Sequence, residues 1–135
     1  MRASTWAPVA NVAVRDGAVR RRIVDALHRA GWAVVESASG YHLVQGLAGP
    51  ILHDQPWLIP SLVVIDALSP GCSGLSVAQG LRDLGWSLPI VLLADRPVGA
   101  AAVGVHVVEP ASAVEVVSAL ASATHTAAGP ERISA

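Results

Sequence analysis

The chain has 135 residues, 53% hydrophobic and only 14% charged, with a formal net charge of −1. That composition describes one globular domain with enough apolar material for a core, and it excludes a disordered chain and a strongly basic nucleic-acid surface. The single cysteine, Cys72, excludes an internal disulfide and points to a reducing, cytoplasmic setting. No stretch reaches the roughly 20 apolar residues of a membrane span, and the N-terminus lacks a signal-peptide pattern.

Residues 1–8 read as an N-terminal arm. Val9 to Val14 form a weakly alternating first strand, followed by Arg15-Asp16-Gly17. Val19, Ile23, Ala26, Leu27 and Ala30 mark one face of an amphipathic helix, with Gly31 as its C-terminal stop and Asp25 and Arg29 spaced to pair one turn apart. Within it, Arg20-Arg21-Arg22 is better explained as a solvated face than as a phosphate site. Trp32 to Glu36 give a short second strand, and Tyr41, Val44 and Leu47 a second helix. The stretch from Ile51 to Pro60 is Pro-rich and reads as an irregular insertion. Leu62 to Asp66 is a third strand, apolar enough to be buried on both faces, and it ends in a carboxylate. Leu75, Ala78 and Leu81 give a third helix ending at Gly85, and Ile90 to Ala94 a fourth strand. The segment from Asp95 to Gly104 is a poor helix. Val105 to Val108 is a fifth strand, and Ser112 with Glu115 forms a capping box for a closing helix through Val116, Val117, Leu120 and Ala121. Residues 124–135 read as a flexible tail or linker.

Strands alternating with helices imply parallel βαβ units with right-handed crossovers, and the carboxyl edge of such a sheet is where ligands bind. Asp66 stands at that edge, followed by a Pro four residues on (Pro70) and a Gly eight residues on (Gly74). This stretch resembles the phosphoacceptor loop of bacterial response-regulator receiver domains, and the resemblance covers about residues 9–122, within a domain taken as residues 9–123. It implies a doubly wound, flavodoxin-like α/β fold with a five-stranded parallel sheet in the order 2-1-3-4-5. In that family two acids after the first strand join the acceptor Asp in holding magnesium. A Ser or Thr after the fourth strand and a Lys-Pro after the fifth engage the phosphoryl group.

The match is partial. Asp66 corresponds to the acceptor and Asp16 to the second acid, which predicts that the two lie side by side. Arg15 stands where the first acid belongs, Ala94 replaces the hydroxyl residue, His106 takes the often aromatic position of the fifth strand, and Glu109-Pro110 replaces Lys-Pro. All nine basic residues are Arg, so no Lys exists to take that role. Arg15 is expected to weaken magnesium binding and to reach Asp66 or Glu109 with its guanidinium, so no cofactor and no metal are expected. The scattered His residues show no metal-ligand spacing. Ser69, Cys72 and Ser73 lack a partner His for nucleophilic chemistry, and no enzyme is indicated.

The partial resemblance implies an atypical receiver, or pseudo-receiver. It would act through phosphorylation-independent protein contacts and regulate transcription with a partner or an attached DNA-binding domain, without binding nucleic acid or membrane itself. A homodimer using residues 98–108 and the closing helix is expected. The alternatives are a receiver that senses a small-molecule metabolite in the altered pocket and a conventional phosphoacceptor using Asp66.

Overall fold

Strand side chains alternate between two faces, and the apolar runs of this chain are short and separated by helical segments. The computed structural model describes residues 8–37, 39, 42–43, 45, 60–67, 73–83, 85, 88–95 and 105–134, with residues 124–134 as backbone alone. In it, β1 (Val9–Ala13), β2 (Ala33–Glu36), β3 (Leu62–Asp66), β4 (Ile90–Leu93) and β5 (Val105–Val108) form one parallel sheet in the order β2-β1-β3-β4-β5. The described helices of full length are α1 (Gly17–Arg29), α2 (Gly74–Asp83) and α3 (Ala113–Ser134). The expected fold class and strand order are therefore present. Three strand ends are one residue tighter than the apolar runs, with Val14, Trp32 and Ala94 just outside.

Register decides which residues meet. Ala10 aligns with Leu62 and Val12 with Val64, while Val64 aligns with Val91. With Val14 and Leu93 these side chains form one core face, closed by Val19, Ile23 and Leu27 of α1 and by Ala113, Val117 and Ala121 of α3. The alternate residues, Ala13, Val63, Ile65, Ile90 and Leu92, face the other side and pack on Leu43 and on Val77, Ala78 and Leu81 of α2. Leu62, Val63, Val64 and Ile65 are all buried, which is the two-sided burial that a central parallel strand demands. Asn11 is the exception, a buried polar residue in β1 whose Oδ1 has no hydrogen-bond partner; Trp32 Nε1 is likewise buried without one.

The helix ends explain themselves locally. Asp16 has extended backbone and its carboxylate accepts from Ala18 N and Val19 N, so α1 begins two residues before its first buried apolar side chain. Gly31, at φ 88°, ends it. Ser73 Oγ accepts from Ser76 N and caps α2 in the same way. The capping box expected at Ser112 is replaced. Ser112 lies inside a 3₁₀ turn, Pro110–Ser112, its N–H donating to Glu109 O, because Pro110 starts helical backbone ahead of Ala113, where a Ser112 cap would start it. The Asp25–Arg29 pair is also absent; the ion pair among the described residues is Arg20–Glu36. Of the helix expected around Tyr41, Val44 and Leu47, His42, Leu43 and Gln45 are described and have helical backbone. Of the insertion expected from Ile51 to Pro60, residues 51–59 lie outside the described residues, as do residues 96–104. The helical backbone of α3 continues through the segment read as a tail, to Ser134. Among the described residues no helix is long and apolar enough to cross a membrane.

Candidate functional site

The carboxyl ends of β1, β3 and β4 bring Arg15, Asp16, Asp66, Ala94 and Asp95 to one edge of the sheet. Parallel pairing does this directly, since Ala13 aligns with Ile65 and Asp66 with Leu93. Asp66 is half-buried as the last residue of β3. Beside it, Ala67 N donates to Leu93 O at 2.9 Å and Gly74 N to Ala67 O at 2.9 Å. Gly74 is needed here, because a Cβ on it would land on the Asp66 carbonyl oxygen. A Gly eight residues after the acid therefore lets α2 begin against the strand end.

Asp66 Oδ2 accepts a hydrogen bond from the backbone N–H of Arg15 at 2.7 Å. The guanidinium makes no ion pair with Asp66 or Glu109; Arg15 acts through its amide and, at longer range, its charge. The contact expected from the side chain is thus made by the main chain, which passes close to Asp66 as the chain leaves β1. Burial pushes the Asp66 carboxyl above the ordinary carboxylate value. The Arg15 N–H and charge oppose this, and the charges of Asp16 and Asp95 add to it. Asp16 is therefore close enough to act on Asp66, although its Oδ1 is spent on capping α1. Asp95, which the sequence reading passed over, joins the acidic edge.

Ala94 is half-buried and its N–H continues the sheet by donating to Val108 O at 2.9 Å. Glu109 is exposed, with its carbonyl in the 3₁₀ turn, and is not among the charges that act on Asp66. His106 is exposed on β5, aligned with Val91. Ser73 is occupied as a helix cap; Ser69 and Cys72 lie outside the described residues. The arginine run divides: Arg21 and Arg22 are exposed, as a solvated face should be, but Arg20 is half-buried and turns back to the end of β1.

Magnesium takes near-octahedral oxygen ligation and needs free carboxylate oxygens. Here one Asp66 oxygen accepts an amide, one Asp16 oxygen caps a helix, and the residue directly before Asp16 is the cation Arg15. Among the described residues no group of three or more His, Cys, Asp or Glu could hold a metal ion. Among the described residues the donor set fits magnesium poorly.

A five-stranded parallel sheet in this order, with helices on both faces and an acid ending the central strand, matches the flavodoxin-like fold of receiver domains. Solved structures agree. A response-regulator receiver domain protein from Bacillus halodurans is 12% identical with TM-score 0.67, over 88% of this chain and 97% of that one. A Francisella response-regulator receiver domain is 16% identical with TM-score 0.62, over 87% and 98%. The receiver domain of a histidine kinase from Syntrophus aciditrophicus is 17% identical with TM-score 0.59, over 87% and 92%. At these identities the likeness is one of fold. No protein-family model and no curated protein sequence matches the chain.

Proposed function

We propose that this domain is an atypical receiver, a cytoplasmic signalling module rather than an enzyme, that works through protein contacts without accepting a phosphoryl group. The observation that carries this reading is the Arg15 N–H on Asp66 Oδ2. It supplies from the main chain a positive partner for the carboxylate, at an edge that offers a poor cation site. A phosphoryl group on Asp66 would add negative charge beside Asp16 and Asp95, with Ala94 offering no hydroxyl and no Lys in the chain. The output we propose is control of transcription, through a partner or an attached DNA-binding domain. The module would act as a homodimer in which β5 and α3 contribute the contact, since Val107 of this edge strand is 38% exposed.

Incubation with acetyl phosphate and magnesium, followed by intact-mass measurement, tests the reading. The expected result is an unmodified chain, with binding to its partner or to itself unchanged. A phosphoryl adduct lost in Asp66→Asn would establish the conventional phosphoacceptor instead.

A further inference from the structure

The amide that holds Asp66 belongs to the same peptide group as the Val14 carbonyl, and that carbonyl has a cationic partner of its own. Arg20 Nη1 donates to Val14 O at 2.9 Å and reaches Arg15 O at 3.5 Å. Its Nε pairs with Glu36 Oε1 at 3.2 Å. One line of groups therefore runs from Glu36 at the end of β2, through the Arg20 guanidinium and the Val14–Arg15 peptide, to Asp66 at the end of β3.

Two physical effects join the ends of that line. The peptide is planar, so a guanidinium that fixes the direction of the carbonyl also fixes the direction of the N–H. A cation on the carbonyl also polarises the amide and strengthens the N–H as a donor to a carboxylate. We propose that Arg20 is a positioning residue that couples the outer edge of β2 to Asp66 through the Val14–Arg15 peptide. Arg20 and Glu36 both line a cleft of about 290 Å³ between α1 and β2, together with Arg21, Asp25 and His28. A partner engaging either member of the pair there alters the donor at Asp66, and a change at Asp66 is felt in the cleft by the same amount. The coupling goes beyond the phosphorylation-independent reading and stands whether or not Asp66 accepts a phosphoryl group.

Amide NMR with hydrogen exchange on the full chain tests it. Asp66→Asn sets the readout by moving the Arg15 amide proton upfield. Arg20→Ala is expected to move the same proton upfield and to speed its exchange about tenfold, the scale of one hydrogen bond to a charged group. Amides of α2 such as Val77 should keep their shifts and rates. Glu36→Ala should also move the Arg15 amide, but not in a background already carrying Arg20→Ala. Should Arg20→Ala fold poorly, Arg20→Gln keeps the stem and removes the charge, and the same upfield movement is expected. An Arg15 amide that stays put in the Arg20 variants overturns the proposal. So does one that exchanges faster only in step with every core amide, which is what a merely structural role would give.

Discussion

Asp66 sits between burial, which favours its neutral form, and the Arg15 amide, which favours its charge; burial is the larger. The folded protein therefore holds the Asp66 proton more tightly than the unfolded chain does. Between the ordinary aspartate value and the raised folded value the native state binds more protons, so stability falls as pH rises through that window. Asp66→Asn still accepts from the Arg15 N–H and carries no charge. It is expected to melt higher than wild type at neutral pH and to flatten this part of the pH–stability profile. Thermal melts across the window check this, and a variant less stable by a constant amount at every pH would contradict it. At Gly74, where a Cβ would strike the Asp66 carbonyl oxygen, Gly74→Ala should cost about 1–3 kcal/mol in denaturant unfolding. Asp66 was legible in the sequence as an acid closing an apolar run. The manner of Arg15's contact was not, because a backbone N–H is common to nearly every residue type and leaves no mark in the residue's identity. Arg20 was missed for a related reason. Its partners are a main-chain carbonyl and an acid on another strand, while its neighbours Arg21 and Arg22 make the run look uniformly solvated.

The capping of α1 separates two roles for Asp16. As an N-cap it stabilises the helix whichever acid or hydroxyl supplies the oxygen, while as part of an acidic pocket it matters through its charge. Asp16→Ala should cost about 1 kcal/mol of folding stability, and Asp16→Ser should restore most of it. Equal losses for both variants in urea titrations would show that the cap is not what Asp16 contributes. In β1, Asn11 is buried with an unpartnered Oδ1, an arrangement that costs about 1–3 kcal/mol when nothing replaces the lost water. Asn11→Val is therefore expected to stabilise the domain by on the order of 1 kcal/mol; a destabilised variant would mean that the amide makes a contact worth keeping. The strands were readable because Leu62 to Ile65 and Ile90 to Leu93 are apolar throughout, which few half-exposed strands are. The start of α3 at Ala113 lies where the Ser112–Glu115 spacing puts it, but the cap itself is not made, because Pro110, already fixed near helical φ, starts a 3₁₀ turn that takes in Ser112.

For the molecule as a whole, alternation along the chain implied a parallel sheet, but alternation alone does not order the strands. The order 2-1-3-4-5 rested on the resemblance around Asp66, Pro70 and Gly74, and the pairing of β1 with both β2 and β3 bears it out. The sheet has two outer strands, and each exposes a large apolar residue, Val35 on β2 and Val107 on β5. The proposed dimer uses the β5 side, so sedimentation at tens of micromolar should show a dimer that Val107→Arg converts to monomer. A wild-type monomer at that concentration would remove the interface from the account. The central claim is that main-chain and arginine groups hold the carboxyl edge around Asp66 where the related fold would use a metal ion. Calorimetric titration of magnesium into wild type and into Arg15→Asp, with folding checked in parallel, tests it most directly. Wild type should bind no magnesium at millimolar concentration while Arg15→Asp binds it measurably; equal binding by the two would overturn the claim.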